Sequence, residues 1–112
     1  MENVLCRAEL HDATTREQYA LFHAGMAQLG LEQTITRNAV VSYLPTGMYL
    51  GTNLSATLES LAGKINLLAV QITAHPCKLI LAPVNPASIY TSGLGNLSYA
   101  DELGVGLFRR AV

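Results

Sequence analysis

The spacing of apolar residues changes once near the start of the chain, and this change constrains the fold more than any other feature. In VLCRAEL, apolar residues recur at every second position, which is typical of a strand with one buried face. In YALFHAGMAQL they recur three and four positions apart, which is the period of a helix with one buried face. The sequence therefore predicts a strand over residues 3–11 and a helix over residues 15–29.

The segment between these two elements reads ELHDATTR and contains a helix start signal. Thr14 and Glu17 have the spacing of a capping box, in which the threonine hydroxyl accepts from a free backbone amide and the acidic side chain reaches back to the cap residue.

Further along, β-branched and apolar runs alternate with turn residues and with a second helical spacing. The predicted elements there are a hairpin of residues 31–37 and 39–44 around Asn38, a helix over 55–66, and strands over 67–73 and 77–82.

This order of elements is βαββαβ with one added strand, which predicts an α+β domain of the ferredoxin-like type. In that fold an antiparallel sheet carries two helices on one face. The other face is then open, and an open apolar face usually binds a partner. The residues expected there include Leu5, Val41, Tyr43 and Leu68.

The composition shifts toward Pro, Gly, Asn and Ser after Pro83, and the periodicity fades. We therefore divide the chain into a ferredoxin-like domain, residues 1–86, and a C-terminal extension, residues 87–112. Whether the extension is a loose tail or an arm that docks on a partner stays open.

The charge content limits the classes of partner. Only 13% of the residues are charged and the net charge is −1, with no basic stripe, so contact with RNA would rely on a few local cations or a dimer groove. So few charges also favour a homodimer over a monomer.

No apolar run reaches the ~20 residues of a membrane helix, and we expect a cytoplasmic protein without a membrane partner. Cys6 and Cys77 lack zinc or disulfide spacing, so we expect two buried free thiols and no metal or cofactor.

His11 and Asp12 form the most interesting polar pair, because they lie at the carboxyl end of the first strand, where loops present side chains to a groove. Asp12 can hold a divalent metal against a phosphate, or the pair can transfer protons, since histidine titrates near neutrality. The structural alternative is that Asp12 is a turn residue favoured by the dipole of the following helix. Both interpretations stay open.

Three further side chains are candidates for RNA binding. Arg7 and Arg37 lie on strands that can become neighbours, and the guanidinium fork matches phosphate oxygens. Tyr43 can stack on a base. Solvation of a sheet edge and packing within strands are the alternatives. The remaining histidines have structural interpretations, with His23 at the edge of the buried helix face and His75 terminating a strand.

Within residues 4–50, the pieces RAELHDA, YALFHAGMAQLGLEQTI and YLPTGMY resemble the GhoS family, the antitoxin endoribonucleases of bacterial type V toxin-antitoxin systems. The resemblance implies a ferredoxin-like fold and cleavage of a toxin's messenger RNA without a strict metal requirement. In similarly folded CRISPR adaptation nucleases an Asp ends the first strand, the location of Asp12 here. The C-terminal extension has no counterpart in this resemblance.

Two functions from different classes remain. In the first, a dimer binds or cleaves RNA, with Arg7, Asp12 and Arg37 near the scissile phosphate. In the second, the chain is a non-catalytic dimeric interaction module of phage or mobile-element origin, an inhibitor or adaptor that uses its open sheet face and C-terminal arm. The low charge favours the second, and the resemblance favours the first.

Overall fold

The computed structural model describes residues 2–12 and 14–94, and the structural statements below concern these residues. Neither helix in this part of the chain is long and apolar enough to cross a membrane. The elements are β1 (Glu2–Glu9), α1 (Arg16–Gln28), β2 (Leu31–Glu32), β3 (Thr34–Arg37), β4 (Val40–Tyr43), β5 (Met48–Leu54), α2 (Leu58–Thr73), β6 (Lys78–Pro83) and a short 3-10 helix (Pro86–Ser88).

The described strands form two separate sheets. One has four strands in the order β2-β5-β1-β6, and each neighbouring pair is antiparallel. The other is the antiparallel pair β3-β4. The prediction of an α+β fold with an antiparallel sheet is therefore confirmed.

The main core lies between the four-stranded sheet and both helices. Val4, Cys6 and Ala8 of β1 are buried, as their alternation predicts, because this face of the strand meets the helices. Burying this layer removes apolar surface from water. Each Å² of apolar surface that is buried stabilises the folded state by roughly 25 cal/mol. The helix residues buried in the same cluster are Phe22, Met26, Leu61, Ile65 and Ala69.

Helix α1 begins one residue later than the sequence indicated. The N-cap is Thr15, whose hydroxyl accepts from the Gln18 backbone N–H at 3.1 Å, while the Thr15 N–H donates to Gln18 Oε1 at 2.9 Å. The predicted cap of Thr14 and Glu17 is therefore wrong by one position. Thr-Thr followed by Glu-Gln offers the same spacing twice, so the sequence does not distinguish the two boxes. Thr14 instead closes the turn after β1, where its N–H donates to the His11 carbonyl at 2.9 Å.

The predicted strand over residues 67–73 is wrong, because helix α2 continues to Thr73. The residues buried along α2 are four positions apart, whereas Leu67 is 58% exposed and Val70 is 43% exposed. The run LLAVQIT is apolar without a clear period, and such a run fits a strand as well as a helix. The predicted fifth strand, residues 77–82, corresponds to β6.

The hairpin around Asn38 is confirmed, but it does not join the main sheet. Asn38 and Ala39 have φ values of 52° and 67°, as a tight two-residue turn between antiparallel strands requires. The extended run predicted over residues 31–37 is interrupted at Gln33, so that only β2 pairs with β5.

The sheet face away from the helices is partly covered. Ile35, Leu44 and Leu50 are buried there, so the hairpin packs against the sheet that was predicted to be open. Leu5 lies on this face as predicted, whereas Leu68 lies on α2 and packs in the main core. Of the C-terminal extension, Ile89 and Leu94 pack on the covered face, and residues 95–112 lie outside the described part.

Candidate functional site

The corner of the molecule beyond the β1-β6 pairing carries a histidine on each side. The pairing ends at Glu9 opposite Lys78. On the β1 side, the alternation of burial continues past the end of the strand, because Leu10 is buried and His11 is exposed. On the other side, the loop between α2 and β6 carries His75. Antiparallel register therefore brings two residues together that are far apart in the chain.

The two imidazole rings stack on each other. The centroids of His11 and His75 are 3.9 Å apart and the ring planes differ by 11°, and both residues are exposed. The sequence interpretation of His75 as a strand terminator missed this contact. The prediction of a strand over residues 67–73 placed His75 in the wrong connection, and no local pattern indicates the contact, because it depends on the β1-β6 pairing.

Local hydrogen bonds and one unusual backbone conformation fix the position of His75. Helix α2 ends in Ala74, which has a φ of 65° in the left-handed region. The hydroxyl of Thr73 accepts from the His75 backbone N–H at 3.1 Å. An alanine in this conformation costs free energy relative to glycine, so the turn into His75 is held by its surroundings.

Asp12 is exposed in the turn that follows His11. We call His11, Asp12 and His75 the histidine corner. Within residues 2–12 and 14–94, no group of three or more His, Cys, Asp or Glu residues is arranged to hold a metal ion. What the corner does offer is two imidazoles and one carboxylate at the surface, which are groups that serve as general acids and bases.

Two cations are paired with one carboxylate, Glu9, which lies two residues before His11. Arg7 Nη2 and Lys78 Nζ are each 3.8 Å from an oxygen of Glu9. Exposed ion pairs of this length contribute little free energy, so a phosphate can compete with Glu9 for both cations. Arg7, Glu9 and His11 alternate with buried residues and thus lie on the same side of β1.

The other two predicted RNA-binding residues lie elsewhere. Arg37 and Tyr43 belong to the β3-β4 hairpin and are half-buried. Arg37 and Arg7 lie in different sheets, so the pairing of their strands that the sequence suggested does not occur. The Arg37 guanidinium donates to the Ile89 carbonyl and holds the start of the C-terminal extension against the hairpin.

The third histidine lies at the edge of the core. His23 Nδ1 and the Tyr49 hydroxyl are 2.7 Å apart, and Tyr49 is almost completely buried between α1 and the sheet. This agrees with the predicted position of His23 at the edge of the buried helix face. Burial raises the pKa of Tyr49 far above the usual range of a phenol. The pair is therefore part of the packing and not a surface site.

Both thiols are free, as predicted, and neither is suited to nucleophilic chemistry. Cys6 is buried, whereas Cys77 is half-buried and its thiol lies 3.5 Å from Asn66 Oδ1. Burial raises the pKa of Cys6 to about 12, and burial also raises the pKa of Cys77. The thiolate is the reactive form of cysteine, so both side chains stay largely unreactive near neutral pH.

No protein-family model, curated protein or solved structure matches this chain. The geometry of the histidine corner is therefore the main structural basis for a functional interpretation. A groove of about 240 Å³ between α1 and α2 is lined by residues that include Gly25, Leu67 and Leu68. It lies on the outer side of the helices and contains no histidine or carboxylate among its lining residues.

Proposed function

We propose that this chain is a small RNA-binding protein with a ferredoxin-like fold, related to the GhoS-like antitoxin endoribonucleases, and that RNA binds at the histidine corner. The order of elements supports the fold: without the β3-β4 hairpin it is β-α-β-β-α-β. Both helices also contribute to one core on the same face of the four-stranded sheet.

The observation that carries the proposal is the exposed stack of His11 on His75 beside Asp12. Unpaired RNA bases stack on aromatic side chains, including histidine, so two surface imidazoles fit this ligand class. Arg7 and Lys78, which are both paired with Glu9, supply cations for phosphate oxygens. A net charge of −1 leaves little long-range attraction, so binding would depend on these few local contacts.

The same groups support cleavage of RNA without a metal. One group removes the proton from the ribose 2′ hydroxyl, whose oxygen bonds to phosphorus while the bond from phosphorus to the 5′ oxygen breaks. A second group protonates the leaving 5′ oxygen, and the products carry a 2′,3′-cyclic phosphate and a 5′ hydroxyl. His11 and Asp12 are the candidates for these two roles, because imidazole and carboxylate groups are common general acids and bases.

The test is incubation of the purified protein with mixed cellular RNA, in magnesium and in chelator. Asp12→Asn and His11→Ala are the site variants, and Glu59→Gln in the first turn of α2 is the matched control. We expect cleavage by the wild type and by the control in both buffers, and its loss in the site variants. Equal cleavage by all four proteins indicates a contaminating nuclease and removes the catalytic assignment. Absence of both cleavage and binding overturns the proposal.

One observation favours the second candidate, a non-catalytic dimeric module. Strand β6 is at the edge of the four-stranded sheet among the described strands, and its Ile80 is 68% exposed. An edge strand presents backbone groups that can pair with another chain, and two copies of β6 can pair about a two-fold axis. Sedimentation equilibrium tests this assignment: Ile80→Lys should yield monomers, while Leu67→Lys on α2 should not. A wild-type monomer at high concentration would rule out the homodimer.

A further inference from the structure

We propose that the His11–His75 stack is a subsite for one unpaired nucleobase, which continues the stack on the outer face of His75. This inference rests on the proposed RNA binding and adds to it the position of one base, on the outer face of His75. The ligand class is therefore single-stranded RNA, since a base within a duplex has no free face.

The geometry of the ring pair supports a third stacked ring. The two planes are nearly parallel, at 11°, and the centroid distance of 3.9 Å is that of a stack. Such a pair uses one face of each ring, and His75 is exposed. An aromatic base placed on the outer face of His75 extends an existing stack and does not require the rings to rearrange.

The backbone around His75 supports a preorganised subsite. Ala74 adopts the left-handed conformation, the Thr73 hydroxyl accepts from the His75 N–H at 3.1 Å, and Pro76 follows. These features restrict the backbone that carries the ring. A ligand that stacks on a restricted ring loses less conformational entropy than one that must order a loop.

The neighbouring charges favour a nucleotide over an aromatic side chain of a protein partner. Lys78 is three residues beyond His75, its side chain is 87% exposed, and its Nζ is 3.8 Å from a carboxylate oxygen of Glu9. A lysine at this distance along the chain suits the phosphate attached to a stacked base. The acidic Glu9 limits the electrostatic share of the binding, so stacking must contribute a larger part.

A fluorescence titration with a short single-stranded RNA that carries one 2-aminopurine tests the subsite. The variants are His75→Ala, which removes the ring, and His75→Phe, which keeps an aromatic ring and removes its nitrogen atoms. We expect His75→Ala to weaken binding by about fivefold or more, the lower end for one stacked base, and to abolish the quenching of 2-aminopurine. His75→Phe should retain both the affinity and the quenching.

A second RNA, with an abasic site in place of 2-aminopurine, separates stacking from other effects of the substitution, and a dye at the end of both RNAs reports binding by fluorescence anisotropy. Loss of the base and loss of the ring should each weaken binding by a similar factor, and the two losses together should not multiply. If RNA binds but neither change weakens it, the subsite is wrong and the RNA-binding proposal stands. If His75→Phe binds as weakly as His75→Ala, the ring nitrogens act and the stacking inference is overturned. If the wild type binds no RNA, the subsite and the proposed function both fail.

Discussion

The Nδ1 atom of His23 and the hydroxyl of Tyr49 lie 2.7 Å apart and join α1 to the central strand β5 at the edge of the core. Tyr49 is 1% exposed, and its ring meets the Phe22 ring edge-on at a centroid distance of 6.1 Å. A buried tyrosine usually places its hydroxyl on a polar partner, because an unsatisfied polar group in the core is costly. This bond therefore fixes how the first helix lies on the sheet.

Tyr49→Phe should destabilise the protein at neutral pH by about 1–3 kcal/mol, because the substitution leaves the His23 nitrogen without this partner. Urea denaturation followed by circular dichroism measures the change. Tyr90→Phe is the matched control, since Tyr90 is 88% exposed and should change the free energy of unfolding by no more than about 0.5 kcal/mol. Equal stability of both variants and the wild type would contradict the proposed role of the bond.

The difference between Tyr49→Phe and the wild type should shrink at alkaline pH. Burial raises the pKa of Tyr49 in the folded state, so the folded protein holds this proton more tightly than the unfolded chain. The resulting stability is fully present below the unfolded pKa of about 10 and is lost as pH rises above it. Urea denaturation of both proteins from neutral pH to above pH 10 measures the two slopes. Parallel curves would show that the phenol is not protected by burial.

Ala74→Gly should stabilise the protein by about 0.5–1 kcal/mol. The left-handed conformation costs alanine about 1–2 kcal/mol, and glycine avoids this cost but loses about 0.5–1 kcal/mol through its freer unfolded chain. The control is Ala24→Gly, at an exposed position inside α1, which should destabilise by a similar amount. Thermal unfolding of both variants gives the comparison. Destabilisation by Ala74→Gly would place the end of α2 elsewhere.

Leu61→Ala should cost about 2–5 kcal/mol, and Leu67→Ala no more than about 0.5 kcal/mol. The reason is burial: Leu61 is 2% exposed on the core face of α2, whereas Leu67 is 58% exposed on its outer face. The pair tests whether residues 67–73 are helical, and chemical denaturation gives both values. A large loss of stability from Leu67→Ala would favour the strand that the sequence suggested.

Glu9→Gln should strengthen RNA binding by about two- to fivefold. Glu9 lies between Arg7 and Lys78, and unit charges ~4 Å apart interact by ~1 kcal/mol in water, so neutralising Glu9 releases both cations for phosphate. Fluorescence anisotropy at several salt concentrations measures the affinity, and the slope with salt should become steeper. Glu59→Gln on α2 makes the same change in net charge away from Arg7 and Lys78 and should have a smaller effect. A larger gain from Glu59→Gln would point to a different RNA surface.

The sequence predicted the elements whose residues follow a regular local pattern. Strand β1, helix α1, the turn at Asn38 and strand β6 follow from alternation, helical spacing and turn preference, which act over a few residues. The end of α2 could not be predicted, because the apolar residues of LLAVQIT have no clear period and only packing decides its conformation. Strand β5 follows the Pro45-Thr46-Gly47 turn, and its place beside β1 depends on distant pairing that no local pattern indicates.

The candidate site shows the same division between local and distant information. His11 and Asp12 were identified because they follow a clear strand and precede a clear helix. His75 was not, because its relation to His11 arises from the β1-β6 register and from the left-handed turn at Ala74. Arg37 was selected as a phosphate ligand. However, its hairpin lies outside the main sheet, and the Arg37 guanidinium donates a hydrogen bond to the Ile89 carbonyl.

The most direct test of the proposed function is to map RNA onto the protein by nuclear magnetic resonance. Isotope-labelled protein is titrated with a short single-stranded RNA, and the shifts of each backbone amide and histidine ring are followed. We predict that the largest changes occur at His11, Asp12, His75 and Lys78, with little change at Leu67 and Val70 on the outer face of α2. Shifts centred on α2, or no shifts at saturating RNA, would contradict RNA binding at the histidine corner.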